Sequence, residues 1–226
     1  MRGIRFTDLN DDTFMRHTAD DWGLVMSTKV IGTPPLKRKT VELNDRDGVL
    51  DYTTALRGVP SYGARVLTFV FEYLDSVEGW TELFSEIKGF LHGRRVKIEE
   101  PDDTNYYYLG RAEVSDPTGD SFSGPVKIFT VTVQADTWKY KNGPITPATW
   151  NAAAGARVLL TNDWRPVSPT IATTGAVSFE FNGRIYSIAG AGTFRFPTFT
   201  LGHGVNTVEI KSGSGDITFT YQEGAI

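Results

Sequence analysis

Histidine is the residue type through which this chain could most readily perform acid–base or metal chemistry, and the sequence contains three: His17, His92 and His203. No two of them lie at the spacing of metal ligands, and no serine and aspartate can be assigned to any of them as a triad. His92 falls at the end of a predicted helix, where a partly positive imidazole suits the helix dipole. His203 lies in a Gly-His-Gly turn, which favours a loop role. We therefore predict no catalytic residue.

The chain has no cysteine, which removes a second group of mechanisms. Disulfide scaffolds, thiolate zinc sites and cysteine nucleophiles are excluded together. Stability must then come from packing or from assembly.

Acidic residues near the N-terminus are candidates for calcium, which prefers several oxygen ligands: Asp8, Asp11, Asp12, Asp20 and Asp21. The loop-like string at residues 44–48 fails the calcium-loop register, because Gly48 at position 6 places Leu43 at position 1 and Thr54 at position 12. We interpret it as a turn before a strand, and we predict no metal and no cofactor. Paired carboxylates for glycoside hydrolysis stay open at this point, since any two acids can meet in space.

The distribution of charge argues against a nucleic-acid surface. The net charge is −4, and residues 150–226 carry five basic and five acidic residues, so the excess acid lies N-terminally. Two short basic clusters, at residues 37–39 and 94–97, fit exposed strand ends. A phosphate-neutralising surface would need the opposite sign of charge.

Most of the secondary-structure elements that must position these residues are predicted to be β-strands. Residues 66–74 form a nearly continuous apolar run and predict a strand buried on both faces, whereas residues 128–135 alternate and predict a strand with one wetter face. Residues 96–99 and 106–114 predict two more strands, the second forming a long hairpin with residues 128–135. In the run Tyr106-Tyr107-Tyr108, at least one ring should be core and one outward, because neighbours on a strand face opposite sides.

One helix is predicted over about residues 76–92. Asp75 or Ser76 can cap its start, and Gly93 suits a left-handed stop at its end. Its apolar residues recur at helical spacing and should pack on the sheet in one core with Phe69 and Phe71: Trp80, Leu83, Phe84, Ile87 and Leu91.

A change of composition predicts two domains. Residues 139–149 contain Asn-Gly, two prolines and no periodicity, which indicates an interdomain linker. The division is then 1–138 for an N-terminal β domain with the helix, and 150–226 for a second domain. No apolar run approaches a membrane span and residues 1–12 contain no secretory signal, so we expect a soluble protein.

The C-terminal domain consists of short predicted strands separated by tight turns. Residues 177–181 and 184–188 flank Asn182-Gly183, a strong two-residue hairpin signal. Residues 207–211 and 216–221 flank a glycine-rich turn and predict a second hairpin. Alternating strands without a helix indicate a small antiparallel sandwich.

The order of these features resembles a known family. Residues 43–51, Leu-Asn-Asp-Arg-Asp-Gly-Val-Leu-Asp, precede the strand at residues 65–73 and the Trp80 helix that ends at Gly93. This order is similar to the N-terminal domain of siphophage distal tail proteins, in which an (I/L)-P-G-R-D-G-x-L-D stretch precedes an aromatic strand R-x-(L/I)-x-F-x-F. Asn44-Asp45 stands here where the family usually has Pro-Gly.

The C-terminal end resembles the same family. Its pattern F-P-x-L-x-x-G-x-N-x-(I/V)-x-(I/V), followed by a glycine turn and a short strand, is similar to residues 196–210 and 217–221. The turn after Gly202 holds one additional residue here. The resemblance covers most of the chain, and the order and spacing of the motifs carry it.

The resemblance implies a mainly β fold with one helix packed on the N-terminal sheet, and a galectin-like antiparallel β-sandwich at the C-terminus. It implies a structural baseplate hub, a homohexameric ring built by the N-terminal domain. Such a ring joins the tail-tube protein to the tail-associated tip protein and commonly gives attachment to receptor-binding proteins. It belongs to the virion, at the phage tail tip, and is assembled in the host cytoplasm. DNA only passes through the channel, which an acidic surface suits because like charge disfavours adhesion, and no membrane is contacted.

Two alternatives come from other functional classes. A carbohydrate-binding β-sandwich module is suggested by aromatics such as Trp164 and Tyr186, and Trp138, Trp150 and Trp164 could stack on sugars or on a neighbouring subunit. A wall-degrading enzyme is the second alternative, and it would need a functional Asp or Glu pair. Sugar binding or cell-wall turnover would distinguish them from a hub.

Overall fold

The computed structural model of the protein describes residues 3–44, apart from the side chain of Asp12, and residues 47–55, 60–74, 78–118, 126–143 and 149–226. The chain divides into two compact units, Met1–Lys139 and Tyr140–Ile226. The architecture is mainly β with one helix, as predicted.

The first unit and its boundary contain ten strands and one helix among the described residues: β1 (Arg5–Asp8), β2 (Asp11–His17), β3 (Val25–Ile31), β4 (Thr40–Glu42), β5 (Val49–Asp51), β6 (Arg65–Tyr73), α1 (Trp80–Leu91), β7 (Arg95–Glu99), β8 (Tyr106–Val114), β9 (Lys127–Ala135) and β10 (Lys139–Lys141).

Seven of these strands form one antiparallel sheet in the order β2-β1-β7-β8-β9-β6-β3. The predicted hairpin of β8 and β9 is confirmed, since Gly110 pairs with Ala135 and Val114 with Val131. Strand β6 pairs with β9 along its whole length, and β7 pairs with the other side of β8. The strands β1, β2 and β3 were not predicted, because their polar residues mask the alternation.

The core of the first unit lies where α1 packs on this sheet. Trp80 lies 5.1 Å from Tyr73 and 6.1 Å from Phe129 between ring centroids. The predicted common core of helix and strand is confirmed. Its buried members include Phe69, Phe71, Trp80, Ile87 and Leu91, and the partly buried Leu83 and Phe84 pack against it. Phe90 is also buried, although it lies outside the predicted stripe.

The helix is shorter at its start than predicted. The proposed caps, Asp75 and Ser76, lie outside the described residues, and α1 begins only at Trp80. Gly79 precedes it with φ 83°, a left-handed backbone that an α-helix does not contain, which is why the helix does not start earlier. The predicted left-handed stop is confirmed, because Gly93 has φ 76°.

Strand β6 is not buried on both faces, contrary to prediction. Its side chains alternate between fully buried and partly exposed, and Val66 is 41% exposed. The reason is that the buried cluster of this unit lies on one face of the strand, so the apolar side chains of the other face stay partly open to solvent.

The second unit contains nine further strands: β11 (Trp150–Asn151), β12 (Arg157–Asn162), β13 (Thr170–Thr173), β14 (Val177–Phe181), β15 (Arg184–Ile188), β16 (Gly192–Arg195), β17 (Gly204–Gly213), β18 (Asp216–Thr220) and β19 (Gly224–Ala225).

Eight of these strands form a sandwich of two antiparallel sheets, in the orders β11-β18-β13-β16 and β12-β17-β14-β15. Both sheets contribute alternate side chains to one core, in which Phe179, Phe199 and Phe219 are fully buried and in mutual ring contact. The predicted antiparallel sandwich is therefore present.

The turn chemistry of β14 and β15 confirms the predicted hairpin. Phe181 pairs with Arg184, and the intervening Asn182 and Gly183 have φ 49° and 75°. Both central residues of a type I′ turn need positive φ, which Asn and Gly tolerate best.

The second predicted hairpin is wrong. Strand β17 lies between β12 and β14, whereas β18 lies between β11 and β13 in the opposite sheet. Both edges of β17 are already hydrogen-bonded, so the chain crosses between the layers at the Ser214-Gly215 turn, where Gly215 has φ 84°.

Part of the predicted linker at residues 139–149 is a strand. In β10, the backbone N–H of Lys141 donates to the carbonyl of Glu223 at 3.0 Å, and its Nζ lies 2.7 Å from Glu223 Oε2. Residues 144–148 of the predicted linker lie outside the described residues.

Candidate assembly surfaces

The three histidines take part in separate local structures. His17 Nδ1 lies 2.7 Å from Asp20 Oδ2. His92 Nδ1 accepts the backbone N–H of Val114 at 3.1 Å, so it ties the end of α1 to β8 and does not act simply through the helix dipole. His203 stacks on Trp164. The structure does not bring the histidines together.

The N-terminal acids serve turns and ion pairs. Asp8 is buried and accepts the backbone N–H of Asn10 at 2.9 Å and Arg94 Nη1 at 2.7 Å. The hydrogen bond from the Asn10 backbone, followed by Arg94, holds the pKa of Asp8 below its usual value despite burial. Asp21 accepts the backbone N–H of His17. Within the described part of the chain, no three acidic or histidine side chains form a metal-binding group.

The basic cluster at residues 94–97 is neutralised by neighbouring acids. Arg94 pairs with Asp8, Arg95 Nη2 lies 3.0 Å from Asp136 Oδ2, and Lys97 Nζ lies 2.7 Å from Glu99 Oε1. Ion pairs of this kind leave little free positive charge for a phosphate. The structure therefore gives this cluster no character of a nucleic-acid surface.

The tyrosine run on β8 is covered by cations. Tyr108 is buried, and Tyr106 and Tyr107 are half-buried. Lys97 Nζ lies 4.6 Å above the Tyr107 ring and Lys139 Nζ lies 4.5 Å above the Tyr106 ring. One ring is core as predicted, but the other two are not open platforms, because each is half-buried and carries a cation on one of its faces.

A two-stranded hairpin of the first unit exposes several large apolar side chains. It consists of residues 36–52 and is called the arm below. Its base is held by the Leu36–Tyr62 bridge and by the backbone N–H of Lys37, which donates to Ser61 at 2.8 Å. Beyond this base, β4 and β5 form a two-stranded sheet of their own. The centre of the predicted turn at residues 44–48, Asp45 and Arg46, lies outside the described residues, and β5 begins directly after it at Val49.

The arm has one apolar face. Val41 pairs with Leu50 across the two strands, and alternation places Leu43 and Tyr52 on the same side. Val41, Leu43 and Tyr52 are 48%, 44% and 46% exposed, and none of them belongs to the core of the unit. Val49 pairs with Glu42 on the opposite, more polar face. The apolar face thus has no cover within the described part of its own unit.

The two outer strands of the seven-stranded sheet provide further open surface. No described strand pairs with the outer side of β2 or of β3. Phe14 and Met15 on β2 and Val30 on β3 are exposed. The strands β8 and β9, which form the long hairpin predicted from the sequence, lie inside the sheet with both edges paired and offer no edge to an interface.

The tryptophans of the second unit differ in exposure. Trp150 is half-buried and packs on Phe219, with ring centroids 6.2 Å apart. Trp164 is 61% exposed and stacks on His203, with centroids 3.8 Å apart and planes 6° from parallel. Tyr186, which the sequence suggested for sugar stacking, is buried and donates its hydroxyl to the Thr198 carbonyl.

Sequence reasoning missed the arm and the Trp164–His203 pair. Alternating apolar residues on both sides of the turn at residues 44–48 were the available signal for the arm. No sequence signal joined Trp164 to His203, because they meet only through the pairing of β12 with β17.

Similarity to known proteins is found in the fold and not in the sequence. No protein-family model and no curated protein matches the sequence significantly. One similar solved structure is the crystal structure of the SPP1 Dit (gp 19.1) protein, described as a paradigm of the hub adsorption apparatus in phages that infect Gram-positive bacteria. It aligns with a TM-score of 0.66 and 15% identity over 99% of both chains. The protein therefore has the fold of SPP1 Dit along nearly its entire length.

Two other matches are chains of the phage p2 baseplate in its activated conformation, with Sr and with Ca. Their TM-scores are 0.48 and 0.46 at 8% and 10% identity, over 98% and 100% of this chain and 98% and 99% of theirs. Similarity at this level supports no structural conclusion.

Proposed function

We propose that this protein is a structural baseplate hub of a long-tailed phage, a homohexameric ring that joins the tail tube to the tail tip. The fold shared with SPP1 Dit supports this role, because that protein is described as a hub of the adsorption apparatus. The sequence motifs at both ends of the chain point to the same family.

The single observation that carries the assembly proposal is the apolar face of the arm. An isolated two-stranded hairpin is marginally stable at best in water. Large apolar side chains left open on such a hairpin cost hydration free energy, which a neighbouring subunit would recover by covering them. The occupant we propose is the next copy of the chain in the ring.

The free outer strands β2 and β3 support a head-to-tail arrangement. They lie at opposite edges of one sheet, so the contact they offer is between unlike surfaces. Contacts of this kind repeat until the rotation closes a ring. Ring closure would also remove edges that otherwise invite uncontrolled strand pairing.

We propose a structural role and not an enzymatic one, because the side chains that could perform acid–base chemistry already have local partners. The described histidines and N-terminal acids are engaged in turns, ion pairs and ring stacking. Among the residues that the structure describes, no helix is long and apolar enough to span a bilayer.

The proposed partners follow from a hub position in the virion tail. They are other copies of the chain, the tail-tube protein, the tail-associated tip protein and receptor-binding proteins, with assembly in the host cytoplasm. The acidic excess of the N-terminal half suits a channel through which DNA passes without adhering.

The experiment that tests the ring is light scattering of the concentrated full chain, with negative-stain imaging. We expect about six times the chain mass of 25.0 kDa and a ring with a central hole. Val41→Asp should reduce the assembly to monomers, because it places a charge on the apolar face of the arm.

The matched control is Val49→Asp, which changes the same residue type on the opposite face of the arm and should leave the ring intact. A chain that stays monomeric at every concentration, and forms no ring with its tail partners, would contradict the hub. Rings that persist in Val41→Asp would contradict the role of the arm.

A further inference from the structure

An exposed aromatic pair lies at one end of the C-terminal sandwich. The indole of Trp164 and the imidazole of His203 are stacked nearly parallel, with centroids 3.8 Å apart, and both side chains are exposed. Trp164 remains 61% exposed although the imidazole covers one of its faces. Its other face is therefore open to solvent as a flat aromatic surface.

Two asparagines hold the loops that carry this pair. Asn162 is 3% exposed, and its Nδ2 donates to the carbonyl of Arg165 at 2.8 Å and to that of Gly202 at 3.2 Å. Asn206 accepts the backbone N–H of Gly202 at 2.9 Å and donates to the carbonyl of Gly204 at 3.1 Å. The two loops are thus fixed to each other before any ligand arrives, which lowers the entropic cost of binding.

The chemistry of the pair suits a sugar ring. The face of an indole carries partial negative charge, and the axial C–H groups of a pyranose carry partial positive charge, so the two stack favourably. His203 covers the opposite face of the indole at 3.8 Å, so the open face is presented in a fixed orientation.

The surroundings favour a neutral saccharide over a protein partner. Protein hot spots sit within a rim of packed contacts that excludes water. Here the neighbours are Gly202, Gly204 and polar side chains, with Val205 the nearest exposed aliphatic residue along β17. Residues 150–226, which include the pair, carry five basic and five acidic residues, so this part of the chain has no net charge to attract an ionic ligand.

We propose that Trp164 and His203 form a binding site for a pyranose ring of a neutral polysaccharide. The open indole face stacks on the ring, and His203 supports the indole from its other face. The site lies in the second unit and does not depend on ring assembly by the first.

The test is NMR titration of the full chain with three hexasaccharides: maltohexaose, cellohexaose and the β-1,4-linked hexamer of N-acetylglucosamine. The indole N–H signal of Trp164 is assigned by its loss in Trp164→Phe. We expect at least one hexasaccharide to shift this signal, with a dissociation constant of about 1 mM or lower. Absence of any shift with all three would overturn the proposal.

Variants separate stacking from a general surface effect. Because these variants lack the indole signal, their affinity is measured by calorimetric titration with the same hexasaccharides. Trp164→Ala should raise the dissociation constant about tenfold or more, and Trp164→Phe should raise it less because a ring is retained. Ile185→Ala is the matched control, since Ile185 is 62% exposed in the same sandwich, and it should bind as the unchanged protein does. Equal binding by Trp164→Ala, or loss of binding in Ile185→Ala, would overturn the proposal.

Discussion

Tyrosine hydroxyls in the C-terminal sandwich act as buried donors to backbone carbonyls. Tyr221 is 5% exposed and donates to the Thr161 carbonyl, and Tyr186 donates to the Thr198 carbonyl. Each bond joins distant parts of the unit and satisfies a polar group that burial would otherwise penalise. Burial raises the pKa of Tyr221 to about 12, with the negative charge of Glu223 acting in the same direction.

The raised pKa of Tyr221 predicts an alkaline loss of stability. Because the folded-state pKa lies above the ordinary value of 10.0, the contribution is complete below pH 10 and is lost as pH rises through about 12. At pH 7, Tyr221→Phe should lower the free energy of unfolding by about 0.5–1.5 kcal/mol. Denaturant unfolding of both proteins between pH 8 and 12 measures this. A difference between them that does not shrink with rising pH would refute the assignment.

At the scale of elements, α1 and the seven-stranded sheet depend on one aromatic cluster. Trp80 stacks on Phe84 with centroids 5.1 Å apart and contacts Tyr73 and Phe129. The helix has no side-chain cap at Gly79, so its position on the sheet relies on packing more than on its own termini.

Truncation of Trp80 should therefore strongly lower the free energy of unfolding. We expect Trp80→Ala to lower the free energy of unfolding by about 3–5 kcal/mol, because it removes buried surface and leaves a cavity. Ser85→Ala, at an exposed position of the same helix, should change it by less than about 0.5 kcal/mol. Chemical denaturation compares the three proteins, and an unchanged midpoint for Trp80→Ala would mean that the cluster does not hold the helix.

At the scale of the whole molecule, the chain is two compact units with separate cores. Domain boundaries generally fall in exposed segments with few contacts, and the sequence places such a segment at residues 139–149. The strand β10 (Lys139–Lys141) shortens this candidate linker at its start, because Lys141 is hydrogen-bonded and ion-paired to Glu223.

Limited proteolysis tests this division. We expect the first cut near Pro144 to Pro147, with two folded pieces released, and mass spectrometry of the products locates it. Cleavage inside either set of strands while residues 139–149 remain intact would mean that the division is wrong.

Some of this structure follows from local sequence. The Asn182-Gly183 hairpin was predictable because the turn depends on the φ angles of two adjacent residues. The face of α1 was predictable because burial repeats with the helical period, and Gly93 marked its end. The motifs at both chain ends also indicated the fold.

Other features were decided only by tertiary structure. A tight glycine turn does not say whether the strands it joins pair or cross between layers, and β17 and β18 cross because β17 already has a partner on each side. Which strands lie at the edges of the sheet likewise depends on the pairing of all strands together. Here β2 and β3 lie at the edges, and β8 and β9 lie inside. The Trp164–His203 stack exists because β12 and β17 pair in one particular register. Local sequence encodes torsion preferences and periodicity, whereas strand partners and registers are set by long-range packing of the whole unit.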